Sequence, residues 1–220
     1  IGKPENVTFK QKKFGIISNN ALGIFHKELK EMAKGLPKED DLAIQLFETN
    51  IYEARLLCSK IFKPKNLSNA LAERGVVTFE NWEICDSFSM GIIAKSPLAV
   101  QKINDWAKRK NEFERRAAFA TMAGYCMADK KAANEVYLNF FPLILNAASD
   151  ERIYVKKAVN WALRSIGKRN RDLNQEALNL AYTILELDSK AAKWIAKDAI
   201  RELSSEKVNV LDYPGAIYRP

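Results

Sequence analysis

"KKAVNWALRSI", residues 156–166, returns 37 positions later as "KWIAKDAIREL", residues 193–203, with Ala162-Leu163-Arg164 lying over Ala199-Ile200-Arg201. Each stretch carries apolar residues at intervals of three and four, the spacing of one helix face. An earlier version, "RRAAFATMAGY" at 115–125, sits at an offset of 41 and sets Arg115-Arg116-Ala117 over Lys156-Lys157-Ala158; "YEARLLCSKIF" at 52–62 is a fainter relative. A basic, alanine-rich helix cannot bury its apolar stripe alone, but copies stacked at roughly 40 residues build a continuous core. This recurrence makes the expected fold all-α, with helices in repeating pairs.

The rest of the chain agrees. Nine glycines and seven prolines in 220 residues are sparse, and the prolines fall mostly at segment ends. Between them "NALGIFHKELKEMAKGL", "DLAIQLFETN", "SPLAVQKINDWAKRK", "KAANEVYLNFFPLILNAAS" and "LNQEALNLAYTILELD" read as helices, and no alternating segment is flanked by hairpin turns. Ser96 and Ser149 are N-cap candidates, and Gly167 with its basic run suits a helix end. The paired-helix pattern is that of HEAT and armadillo solenoids, whose stacked pairs curve. Inner helices would carry Arg115, Arg116, Lys156, Lys157, Arg164, Lys168, Arg169 and Arg171 to a concave face; a cluster on the convex face is the alternative. One repeat domain is expected over residues 1–205, followed by a C-terminal tail, 206–220, ending "VNVLDYPGAIYRP".

Composition narrows the function. Hydrophobic residues at 47% and charged residues at 28% describe a folded chain and exclude a disordered one. The longest apolar runs, such as "FFPLIL" and "MGIIA", fall far short of the roughly 20 residues of a bilayer helix. No basic-then-apolar leader opens the chain, and a start at Ile1 rather than Met suggests that some N-terminal residues are missing. Three cysteines, Cys58, Cys85 and Cys126, fit neither a disulfide framework nor a zinc site and suggest a reduced, cytoplasmic protein. A single histidine, His26, expected at the surface, argues against His-dependent metal or Ser-His-Asp chemistry. The formal charge of +8 suits a polyanion, nucleic acid before membrane surface.

Within "FENWEICDSF", residues 79–88, Trp82 and Asp86 stand four apart and so share a helix face. Glu83 points roughly 100° away and is expected in solvent. Trp106, Trp194 and Tyr154 are expected in the core. Arg164 and Arg201 recur at equivalent repeat positions, which fits an ion pair between repeats or a DNA contact equally.

These segments resemble the HEAT-like-repeat DNA glycosylases of the AlkD type, the DNA alkylation repair enzymes, over residues 12 to 205. "NWEICDS" is similar to the family's tryptophan, three residues, aspartate pattern, "ERRAAF" to its arginine-bearing helix, and "VKKAVNWALRSIGKRN" to its second tryptophan helix; "IYEARLLC" and "SKAAKWIAKDAIRELSS" look like further family segments. The resemblance implies Asp86 as the catalytic carboxylate, Trp82 and Trp161 as aromatic walls beside the lesion, and Arg116 as a DNA contact, with no cofactor or metal. It implies a monofunctional glycosylase, monomeric, acting on double-stranded DNA containing 3-methyladenine or 7-methylguanine, in the cytoplasm and with the nucleoid if bacterial or archaeal. The alternatives are a HEAT-repeat protein that binds distorted or branched DNA without chemistry and, further behind, a protein-binding scaffold.

Overall fold

Asn and Ser side chains start several helices by taking backbone N–H groups that no earlier turn can satisfy. Ser68 accepts from Leu71 N, Asn81 from Glu83 N and Ile84 N, Asn170 from Leu173 N, and Ser189 from Ala192 N. The structure, a computed structural model, describes residues 2–206 and 208. Among these are thirteen α-helices: α1 (Pro4–Phe14), α2 (His26–Lys34), α3 (Asp40–Glu48), α4 (Tyr52–Ile61), α5 (Asn69–Val76), α6 (Trp82–Gly91), α7 (Ala99–Trp106), α8 (Glu112–Ala128), α9 (Asn134–Leu138), α10 (Phe141–Ala147), α11 (Ile153–Gly167), α12 (Arg171–Leu185) and α13 (Lys190–Leu203). Short 3₁₀ turns form at Pro64–Asn66 and Ile93–Lys95. The described residues contain no strand, so the all-α expectation holds. Most of the expected tail lies outside the described residues.

The chain divides into two compact units, Ile1–Leu98 and Ala99–Pro220. In the first, α4 packs on α2, α3 and α6. Its entry loop is held from below. The buried Glu53 carboxylate of α4 accepts the N–H groups of Leu22 at 2.7 Å, Gly23 at 2.8 Å and Ile24 at 3.2 Å. Gly23 has φ +77°, and a Cβ there would lie 2.0 Å from the Lys3 carbonyl oxygen, so only glycine fits. That turn is why "NALGIFHKELKEMAKGL" is not one helix; α2 begins only at His26.

In the second unit the three related segments become α8, α11 and α13, and α11 packs against both of the others. Helices α7, α10 and α12 pack on α8, α11 and α13 as their pair partners. Four of the bonds between successive pairs share a 38-residue step: Arg116 to Tyr154, Glu151 to Ser189, Asn160 to Asp198, and Arg164 to Glu202. The repeat seen in the sequence is therefore a repeat of contacts. Gly167 closes α11 against α13, where a Cβ would meet the Leu203 methyls at 2.7 Å.

Two further expectations fail locally. "KAANEVYLNFFPLILNAAS" breaks into α9 and α10, because Pro142 suits a first helical turn and lacks the N–H of an interior residue. Ser149 does not cap α11, which starts at Ile153; residues 149–152 form a connection in which Asp150 accepts from Arg152 N and binds Arg115 and Arg152. Ser96 does act locally, its Oγ accepting from Leu98 N just before α7. The three cysteines are buried and form no disulfide among the described residues.

Candidate functional site

Helix α6 is placed by a buried asparagine. Asn81 Oδ1 accepts from Glu83 N at 3.1 Å and Ile84 N at 3.0 Å, while its amide donates to the Ile17 carbonyl at 3.5 Å. Trp82 is thus the first helical residue, and Asp86 follows one turn later. Ile84, Cys85 and Phe88 face the core, whereas Trp82 and Asp86 are both half-exposed. The Trp82 indole N–H donates to the Phe14 carbonyl at 3.0 Å, at the end of α1, which fixes the ring's orientation. An oriented indole and a carboxylate therefore share one half-exposed helix face.

Glu83 corrects the sequence expectation. It is 6% exposed, not solvated. The Tyr52 hydroxyl donates to its Oε2, Lys10 Nζ lies 3.3 Å from the same oxygen, and His26 Nε2 lies 2.9 Å from Oε1. Burial pushes this carboxyl up, but the bonds from His26 and Tyr52 and the Lys10 ammonium outweigh it and hold the group down at about 2. Its own burial, and then the Glu83 charge, push the Tyr52 phenol far above its usual range. The angle around the helix was sound; α1 and α2 supply the groups that cover that side. The signal available in the sequence was Asn81 as an N-cap followed by Glu83 in the first turn, where a carboxylate also favours the helix dipole. His26 is at the surface as expected, yet it is committed to Glu83.

The basic residues of the second unit divide sharply. Arg115 Nη1 is 3.0 Å from Asp150, and the nearly buried Arg116 donates to the Tyr154 carbonyl at 2.6 Å. Arg164 binds Glu202 and lies 3.6 Å from Asp198, and Lys168 Nζ is 2.6 Å from Glu202. Burial pushes the Glu202 carboxyl up; Lys168 and Arg164 nevertheless hold it below its ordinary value. Arg169 departs furthest from expectation: at 2% exposure it donates to the Cys126 carbonyl and lies 4.0 Å from the Tyr137 ring centre. Lys156 is half-exposed, Lys157 and Arg171 are exposed, and none of the three forms an ion pair among the described residues. Trp161 is half-buried on α11, Trp106 is fully buried, and Trp194 is exposed, contrary to expectation.

Trp194 and Asp198 on α13 repeat the four-residue spacing of Trp82 and Asp86. Asp198 is bound by Arg164, Arg201 and the Asn160 amide, so its charge is already matched by two guanidiniums. Spacing alone does not make a site. Among the described residues no three His, Cys, Asp or Glu gather as a metal site, and no helix is long and apolar enough to cross a membrane.

Helical pairs on a 38-residue step, with an aromatic and a carboxylate presented together on α6, define a helical-repeat protein of the kind the sequence suggested. The family model for DNA alkylation repair enzymes matches residues 3–203, and the chain belongs to that family. Among solved structures it is similar to one described as "a new family of proteins related to the HEAT-like repeat DNA glycosylases with affinity for branched DNA structures", at 18% identity over 91% of this chain and 90% of that one, with a TM-score of 0.71. It is also similar to AlkD2 from Streptococcus mutans, at 20% identity over 91% of this chain and 99% of that one, with a TM-score of 0.61. At such identities the likeness speaks for the fold. No curated protein matches the chain.

Proposed function

We propose that the protein is a DNA glycosylase that hydrolyses the N-glycosidic bond of positively charged N3- or N7-alkylated purines in duplex DNA. The observation that supports this most is the Trp82–Asp86 pair, half-exposed and one turn apart on α6, in a member of the DNA alkylation repair enzyme family. An alkylated purine of this type already carries its positive charge, so it leaves with the bonding electron pair as a neutral base and needs no strong general acid. Positive charge then develops on the deoxyribose. Asp86 is assigned to stabilise that oxocarbenium-like sugar and to take the proton of the water that attacks C1′, leaving an abasic site with the strand uncut. The Trp82 face attracts a cation by about 0.5 to 2 kcal/mol. Trp161 is assigned a contact to the lesion, and Lys156, Lys157 and Arg171 are assigned to phosphates; Arg116, buried and donating to the Tyr154 carbonyl, is assigned to holding α11 and not to DNA.

Base release from methylated DNA, measured side by side for wild type and Asp86→Asn without added metal, tests the proposal. Wild type should release 7-methylguanine or 3-methyladenine. Asp86→Asn should keep the fold and DNA affinity while lowering excision by about two to three orders of magnitude, the usual range for losing a group aimed at developing charge. Trp161→Ala should be affected less. Equal release by both proteins would remove Asp86 from the mechanism. One observation favours a second reading: the solved structure at TM-score 0.71 is of proteins with affinity for branched DNA. If wild type releases nothing above the spontaneous rate yet binds junctions better than plain duplex, that non-catalytic function replaces the first.

A further inference from the structure

Trp194 stands on α13 with 41% of its surface exposed, among residues otherwise suited to binding a polyanion. The core-facing residues of that helix are Ala191, Ala192, Ile195, Ala196, Ala199 and Leu203. On the other side Lys190, Trp194 and Lys197 follow at steps of four and three, so they form one stripe with Lys193 beside it. Lys156 reaches over from α11, its Nζ 5.3 Å from the centre of the Trp194 ring. Lys156, Lys190 and Lys197 form no ion pair among the described residues, and Lys193 is only 3.7 Å from the fully exposed Asp188. Of the nearby carboxylates, Asp198 is taken by Arg164 and Arg201, and Glu151 accepts from Ala191 N and Ser189 Oγ, which hold it low together with the charges of nearby Lys156 and Lys190. An indole this exposed gives up burial, and the lysines around it would repel a basic partner and weakly attract any anion.

We propose that Trp194, with Lys156 against its ring and Lys190, Lys193 and Lys197 along the same helix, is a binding site for single-stranded DNA. The indole stacks on a base while the lysines take the flanking phosphates. The physical reason for a single strand is that both faces of a base inside a duplex are covered by its neighbours; an indole can stack only on a base that has left the pile. Lys156 fits such a site because its cation–π contact is weak and exchangeable, so its ammonium can turn to a phosphate as a base takes the ring face. The site goes beyond base excision and rests only on the DNA-binding part of the proposed function.

Binding of a labelled single strand of about 20 nucleotides, the range of one or a few such sites, and of a blunt duplex of the same sequence decides it, for wild type, Trp194→Ala and Trp194→Phe. Trp194→Ala should weaken the single strand about tenfold, equivalent to about 1.4 kcal/mol, and the duplex by less than about twofold. Trp194→Phe keeps a stacking ring and should recover most of the loss. Melting curves for all three proteins should coincide, because the side chain is outside the core. Equal weakening of both DNAs, or of neither, overturns the stacking site and leaves DNA binding standing. A wild type that binds duplex but not single strands does the same. Binding of neither DNA removes the site together with the DNA reading itself.

Discussion

Glu83 is the carboxyl held furthest below its ordinary value beside the candidate site. Its carboxyl titrates near 2 in the folded protein, below an ordinary value of 4.5. A carboxylate depressed in this way contributes stability that is fully present above about pH 4.5 and is lost as pH falls towards 2. Lys10, His26 and Tyr52 face it, and Lys10 is buried as well, so neutralising Glu83 leaves an ammonium without its counter-charge. Glu83→Gln should therefore cost about 3 kcal/mol at neutral pH, the scale of breaking a buried ion pair from one side. Its melting temperature should also fall less steeply than the wild type's between pH 4.5 and 2. The remaining acid sensitivity belongs to groups such as Asp150 and Glu202, whose carboxyls are also held low. Parallel melting curves for the two proteins across that window would show that Glu83 is not charged as described.

At the scale of the helix, α11 and the residues just after it hold two kinds of basic residue that look alike in the sequence. Lys157 is exposed, and Arg169, twelve residues later, is in the core over Tyr137. Arg169→Ala should destabilise the protein by about 3 kcal/mol, since it empties a filled space and strands the Cys126 carbonyl. Its DNA affinity, compared at equal folded fraction, should keep the wild-type salt dependence. Lys157→Ala should do the reverse: stability within about 0.5 kcal/mol, and a log–log salt slope shallower by about 0.9. Thermal melts and salt titrations of the two variants separate these roles, and an unchanged slope for Lys157→Ala would take that helix face away from the phosphates.

For the molecule as a whole, the eight basic residues named from the repeat helices overstate what is available to DNA. Arg115, Arg164 and Lys168 hold carboxylates that join one helical pair to the next, and Arg116 and Arg169 hold carbonyls. Phosphate contacts then fall to Lys156, Lys157, Arg171 and the lysines of α13. The affinity for duplex DNA should accordingly fall with a log–log salt slope of about −3 to −5, at about −0.9 per phosphate, whereas eight contacts would give about −7. A slope near the larger value would mean that the ion pairs between repeats open when DNA binds.

The fold was legible because a helical repeat is a local property written several times over. "KKAVNWALRSI" and "KWIAKDAIREL" each need a neighbour for their apolar stripe, and the order of the copies along the chain leaves few ways to supply one. The Trp82–Asp86 pair was legible for the same reason: four residues on a helix are neighbours whatever surrounds them. What surrounds a side chain is another matter, because it is set by segments distant in sequence. Glu83 is charged and buried because α1, α2 and α4 bring Lys10, His26 and Tyr52 to it across 73, 57 and 31 residues. Arg169 and Lys157 differ because one meets Tyr137 and the other meets water. Asp198 ends between two guanidiniums, Arg164 from α11 and Arg201 from its own helix. Periodicity decided which helices exist and which residues share a face; only the tertiary packing decided which charges are spent inside the protein and which remain for a partner.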